Sequence, residues 1–264
     1  MPELPEVETV TRSLAPLAGR RIVSTEFRNL RILRGGDPDG LSARLQGRRI
    51  AGVKRYGKFI VAAFEEGGYL LIHLGMTGRL LLGGPTGKHT HAIFTFDRGV
   101  LLFDDSRQFG SIQFSEEFPQ RVARLGPEPL EVEFPAFAAA LKRRKTRIKA
   151  LLLNQAFLRG IGNIYADEAL FRSGIHPLAT SSRLPAGRAR KLYDAIVEVL
   201  SEAIEAGGSS ISDYVDAQGR KGFFQYSHRV YQRTGEPCVA CGTPIRRLLV
   251  AQRSSHFCPA CQKR

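Results

Sequence analysis

The 264-residue chain carries 39 Lys and Arg against 25 Asp and Glu, a net charge of +14, and 43% of its residues are hydrophobic. Such an excess favours a polyanion, most simply nucleic acid, with an anionic membrane surface as the competitor. No run approaches the ~18 apolar residues needed to span a bilayer, and no basic-then-apolar leader opens the chain, so a cytosolic protein without a membrane partner is expected.

The chain starts Met1-Pro2-Glu3-Leu4-Pro5-Glu6-Val7-Glu8-Thr9. Removal of Met1 would expose a proline secondary amine. An α-amine titrates near ~8 rather than the ~10.4 of lysine, so a useful fraction is neutral and nucleophilic at neutral pH. Such an amine can attack a sugar carbon and form an iminium, and Glu3 beside it can exchange protons with the same substrate. The same residues also suit an ordinary helix start, with Pro5 at a first helical position and Glu6 and Glu8 favouring the helix dipole. Val7, Val10, Leu14 and Leu17 recur at helical spacing, and Gly19 offers a stop.

From Arg21 to about Phe114 the pattern becomes short runs rich in Val, Ile, Leu and Phe: 49–54, 59–64, 69–74, 79–82, 92–96 and 100–103. Glu66-Gly67-Gly68, Met76-Thr77-Gly78 and Asp97-Arg98-Gly99 suit antiparallel hairpin turns. A β-sandwich capped by the N-terminal helix is the economical reading. Residues 126–135 read as a linker, and 137–145, 147–155, 163–174 and 188–206 as helices. Lys142-Arg143-Arg144-Lys145 suits a solvated face or a phosphate contact. Arg159-Gly160-Ile161-Gly162-Asn163 is a glycine turn entering a helix, where backbone N–H groups can hold a phosphate. Gly207 to Gly222 is polar and reads as a mobile linker or a lid.

All four cysteines fall in the last 27 residues, as Cys238-Val239-Ala240-Cys241 and Cys258-Pro259-Ala260-Cys261 with sixteen residues between the pairs. Two such knuckles fit one tetrahedral zinc ion; two disulfides are the competing reading, disfavoured in a reducing cytosol. The intervening residues are long enough for a β-hairpin carrying Arg246, Arg247 and Arg253. His256 is expected to be a packed or exposed histidine and not a ligand, since four thiolates complete the site.

On the 2–9 motif, His73-Leu74-Gly75-Met76-Thr77-Gly78, Ser106-Arg107-Gln108-Phe109-Gly110, Gly162-Asn163-Ile164-Tyr165-Ala166-Asp167-Glu168 and the cysteine pairs, the chain resembles the formamidopyrimidine-DNA glycosylases from end to end. The resemblance implies an α+β protein in three parts. These are a catalytic β-sandwich over 1–130, a helix–two-turn–helix domain with a lesion-recognition loop over 131–230, and a zinc finger over 231–264. It implies a monomeric base-excision repair enzyme of the bacterial cytosol and nucleoid. Its partner would be damaged double-stranded DNA, from which it removes oxidised purines, cleaving the strand by β,δ-elimination through a Schiff base. The roles that follow are implied in the same way. Pro2 is the nucleophile and Glu3 the proton donor to the opening sugar. Lys58 binds a phosphate and assists β-elimination, and Arg253 grips phosphates and serves δ-elimination. Met76, Arg107 and Phe109 fill the stack behind the extruded nucleotide, and His89, Lys145 and Asn163 join Arg107 in contacting DNA. Cys238, Cys241, Cys258 and Cys261 hold the zinc.

Two positions depart from the family's pattern. Thr90 replaces a charged residue between His89 and His91 and reads as a surface change. Lys221 stands where a proline is expected in the lesion loop, which bears on substrate range. The sister branch, the endonuclease VIII-like glycosylases, would share the proline chemistry but prefer oxidised pyrimidines. A non-catalytic zinc-ribbon nucleic-acid binder would suit the charge and cysteines but gives no reason for Pro2-Glu3.

Overall fold

Val7 and Val10 on helix α1 (Leu4–Ser13), with Leu14 at its C-cap, turn into one core in the computed structural model, which describes residues 1–264 apart from Gly36 and Ser212. The helix stops where Ser13 gives way to a 3₁₀ turn at Ala15–Leu17, ahead of Gly19 at φ 76°. The chain forms two compact units: Met1–Arg124 with Ala206–Gln225, and Leu125–Glu205 with Tyr226–Arg264.

In the first unit, β1 (Ile22–Phe27) and α2 (Pro38–Leu45) precede seven strands: β2 (Ile50–Tyr56), β3 (Phe59–Phe64), β4 (Tyr69–His73), β5 (Gly78–Leu82), β6 (Thr90–Phe96), β7 (Val100–Asp105) and β8 (Ser111–Ser115). A one-turn helix, α3 (Gln120–Ala123), follows. The strands make two antiparallel sheets, ordered β1-β6-β7-β5 and β2-β3-β4-β8. Ile60, Leu70 and Ile72 from one sheet, and Phe94, Leu101 and Phe103 from the other, share the core with α1. This is the expected sandwich. Two strands have no counterpart in the apolar runs: β1 buries one end residue, Ile22, and β8 is flanked by serines.

The glycine turns after β3 and β6 close hairpins, as expected. Met76-Thr77-Gly78 does not. It carries the chain from β4, paired with β3 and β8, to β5, paired with β7 in the other sheet. Glycine marks a reversal, but the partner is set by long-range pairing, so the local reading assigned the wrong connection. Thr90 is also corrected: it is buried, and its hydroxyl accepts the Gly87 N–H at 2.9 Å.

Residues 206–225 are no polar tether. Tyr214 and Ala217 enter the sandwich core, and the Leu82 N–H donates to Ala217 O at 2.8 Å. Asp216 accepts the backbone N–H and the Nε of Arg220, which folds the segment back on itself.

The second unit contains α4 (Phe134–Lys142), α5 (Ile148–Leu153), α6 (Asn163–Arg172) and α7 (Ala186–Glu205), then the hairpin β9 (Arg246–Val250) and β10 (Arg253–Phe257). The expected helices are present with ends moved by up to three residues. Residues 164–171 of α6 are all buried, including Asp167 and Glu168. Buried charges need partners. Glu168 accepts the backbone N–H groups of Arg229, Val230 and Tyr231 at 2.9–3.0 Å, although burial holds its carboxyl above the ordinary range. Asp167 takes the ammonium of Lys149 on one oxygen and His256 on the other. No helix among the described residues is long and apolar enough to cross a membrane.

Candidate active site and nucleic-acid interface

Pro2 and Glu3 immediately precede α1, and both are buried. Glu3 is the N-cap, and its backbone N–H donates to Glu6 Oε2 at 2.8 Å, part of a capping box. The other oxygen of Glu6 accepts the Ser209 N–H at 2.7 Å, and Tyr214 Oη donates to Glu6 O at 3.2 Å. Glu6 thus fixes the backbone of Glu3 and holds the 206–225 segment to the same helix end. The sequence signal for the capping box is a glutamate three residues after Glu3.

Lys58 occupies the second place of a two-residue turn joining β2 and β3, after Gly57 at φ 59°, a backbone that favours glycine. Lys58 is 9% exposed. Arg55, just ahead of this turn, donates to Glu8 Oε2 at 2.7 Å and reaches Gly57 O at 3.4 Å. The pair ties the helix that follows Pro2 to the turn that carries Lys58. His73 closes the neighbourhood. Its Nδ1 accepts the Gly75 N–H at 3.1 Å, and its ring meets Phe59. Burial, with the charges of Lys58, Arg121 and Arg34, pulls its pKa down to about 4, so it is neutral at physiological pH. In the sequence His73 is only the first residue of the 73–78 motif, with nothing beside it to assign a task.

Met76, Arg107 and Phe109 come together. Met76 is 39% and Phe109 54% exposed, unusual for large apolar side chains, and the Arg107 guanidinium lies 5.0 Å from the Phe109 ring centre. Their two turns touch through backbone: a Cβ on Gly75, at φ 62°, would lie 2.5 Å from Phe109 C and Gly110 N. His89 is linked to the same place, because its carbonyl accepts the Asp105 N–H at 2.9 Å.

In the second unit, Asn163 at the start of α6 and Arg253 at the start of β10 line one polar cleft of about 700 Å³ with Tyr231, Arg247, Gln252 and His256. The turn that aims Arg253 is Ala251-Gln252, at φ 49° and 59° without glycine. Gln232, on the cleft wall, also has φ 60°. Left-handed backbone on such residues is costly and concentrates at functional sites. Lys145 is exposed and does not line this cleft.

Cys238, Cys241, Cys258 and Cys261 place their sulfurs within 4.8 Å of one another, with Cys238 to Cys261 at 3.9 Å and Cys241 to Cys258 at 3.5 Å. Zinc–sulfur bonds of ~2.3 Å in a tetrahedron put sulfurs about 3.8 Å apart. The donors therefore fit one zinc ion, a structural cofactor, and the cysteines are not disulfide-bonded. Hydrogen bonding by Thr243 holds the Cys241 thiol down to about 6, while Cys241 pushes Cys261 up to about 12. That split is expected of thiols too close to ionise together unless a cation offsets their charge. Cys238 and Cys258 also pack with Phe171, Val230 and Ile245, anchoring the hairpin to α6.

Three family models cover most of the chain: the formamidopyrimidine-DNA glycosylase N-terminal domain over 1–112, the H2TH domain of the same glycosylases over 125–215, and a zinc finger found in FPG and IleRS over 235–264. The chain is 79% identical to a formamidopyrimidine-DNA glycosylase of Solibacter usitatus and 47% identical to one of Heliobacterium modesticaldum, each across the whole of both chains. The crystal structure of the MutM (Fpg) protein from Thermus thermophilus is similar at 45% identity and a TM-score of 0.89, covering 99% of this chain and 98% of that one. A mutant of the Lactococcus lactis protein in complex with a Fapy-dG containing DNA reaches 0.91 at 36% identity, covering all of both chains. The chain belongs to the formamidopyrimidine-DNA glycosylase family.

Proposed function

We propose that the protein is a bifunctional glycosylase and abasic-site lyase that removes oxidised purines from duplex DNA in base-excision repair. The observation that carries this reading is the full-length identity of 79% to a formamidopyrimidine-DNA glycosylase. The residue assignments draw support from the site geometry. Once Met1 is removed, the Pro2 amine attacks C1′ of the damaged nucleotide. The glycosidic bond breaks, the base leaves, and the sugar opens as Glu3 protonates its ring oxygen. The amine remains bound to C1′ as an iminium, which acidifies C2′. Loss of that proton expels the 3′ phosphate, and the δ step expels the 5′ phosphate. Lys58 serves the β-elimination and Arg253 the δ-elimination, each holding a phosphate. Met76, Arg107 and Phe109 fill the gap left in the stack, whose opening costs a few kcal/mol. His89, Lys145 and Asn163 add backbone contacts that position the duplex.

The three-part division at about 130 and 230 is the functional one proposed, with the zinc ion holding the hairpin of Arg253. On this reading the enzyme acts as a monomer in the bacterial cytosol and nucleoid. Segment 206–225, anchored to Glu6 through Ser209 and Tyr214, is the cover over the extruded base. Excision compared on 8-oxoguanine·C and thymine-glycol duplexes tests the substrate class: faster release of 8-oxoguanine supports it, and a preference for thymine glycol assigns the chain to pyrimidine lesions instead.

A further inference from the structure

Asp105, the last residue of β7, is fully buried, and its carboxylate joins the two turns that carry the exposed wedge side chains. Oδ1 accepts the Thr77 hydroxyl at 2.5 Å and the Arg107 N–H at 3.3 Å, and Oδ2 accepts the Gly110 N–H at 2.7 Å. Thr77 Oγ1 in turn accepts the Arg107 N–H at 3.1 Å. Thr77 follows Met76, and Arg107 and Gly110 bracket Phe109, so one side chain sets the spacing of all three wedge residues. Between them, Gln108 is held at φ 57°, a backbone that the surrounding hydrogen bonds must maintain. On the other side, the Asp105 carbonyl meets His91 Nε2 at 2.8 Å, fastening the hub to β6.

A buried carboxylate is a costly way to fill space, since an apolar side chain of similar volume avoids desolvating a charge. What it offers here is an acceptor at every contact: a hydroxyl and two amides converge on it. An amide of the same shape would turn an N–H₂ group toward one of those donors. We propose that Asp105 is a positioning residue for base extrusion, presetting Met76, Arg107 and Phe109 to enter the duplex as the damaged nucleotide leaves. This rests on the reading of those three as stack-filling groups.

The test follows stacking and chemistry separately in Asp105→Asn, Thr77→Val and Thr77→Ser. Stopped-flow fluorescence of 2-aminopurine beside 8-oxoguanine reports opening of the stack. Borohydride trapping on single-stranded abasic DNA reports the amine chemistry, with no base to extrude and no stack to fill. Leaving a buried donor unsatisfied costs about 1–3 kcal/mol, so Asp105→Asn should slow the fluorescence step and duplex excision together by roughly ten- to a hundredfold. Thr77→Val should slow both in the same direction and Thr77→Ser neither, with single-strand trapping within about twofold of wild type throughout. If Asp105→Asn fails to fold, Thr77→Val decides. Unchanged duplex rates, or single-strand trapping that falls as far as duplex excision, would overturn the proposal. A wild-type enzyme that neither opens the stack nor excises would instead overturn the functional reading beneath it.

Discussion

Asp167 on α6 accepts both the backbone N–H and the ring Nδ1 of His256 on β10, at 3.0 and 3.1 Å, through the same oxygen. Its other oxygen takes the ammonium of Lys149, which is fully buried and also donates to the Asn163 carbonyl at 3.0 Å. One carboxylate therefore links α5, the entry to α6 and the hairpin that carries Arg253. Removing one partner of a buried ion pair costs about 3–5 kcal/mol, because the other charge is left unpaired. Asp167→Ala should destabilise the second unit by that amount in urea melts. Adding Lys149→Met should recover part of it by removing the orphaned ammonium.

His73 gives stability a pH dependence. Its folded pKa, about 4, lies below the ordinary 6.5 because burial and the charge of Lys58 oppose protonation. Above pH 6.5 both folded and unfolded chains hold it neutral, and its contribution is complete. Between 6.5 and about 4 only the unfolded chain takes the proton, so stability falls with pH. The loss should be about 2–3 kcal/mol, reduced by the part of the ring that remains in contact with solvent. Unfolding free energies from urea melts at pH 7.5 and 4.5 should differ less in His73→Gln than in wild type, by that margin.

The phosphate assignments predict a salt signature. Alanine at Lys58, Lys145 or Arg253 should weaken binding across DNA sequences and lower the slope of log K against log salt by roughly 0.9 per phosphate lost. Fluorescence anisotropy from 50 to 200 mM salt measures it, and a wild-type slope in all three variants would remove them from the interface.

Zinc loss should act locally. Cys241→Ser removes one of four ligands, and the apolar cluster around the cysteines, with Phe171, Val230 and Ile245, is small. Loss of zinc by elemental analysis should accompany near-complete loss of duplex cleavage, while the first unit retains its melting transition. A zinc-free protein that cut duplex normally would remove the hairpin from the function.

The apolar runs of β3 and β6 announced a sandwich because both faces of those strands are largely covered; β1 and β8 escaped because serine, threonine and glutamine sit where a run would need Val or Leu. The four cysteines disclosed their site by spacing alone. Glu6, Asp105 and Asp167 could not be recognised as hubs, since a carboxylate on a helix or at a strand end normally faces water. Only tertiary pairing put Ser209, Thr77 and His256 against them. The turn at Met76 failed for the same reason: a reversal is local, but its strand partners are not.

The proposed reaction turns on covalent chemistry at the N-terminal proline. Borohydride reduction of the enzyme with an 8-oxoguanine·C duplex, followed by intact-mass and peptide analysis, measures it directly. The expected product is a protein–DNA adduct on a chain lacking Met1, with the sugar remnant on Pro2. An adduct on a lysine, or full excision by protein that uniformly retains Met1, would contradict it.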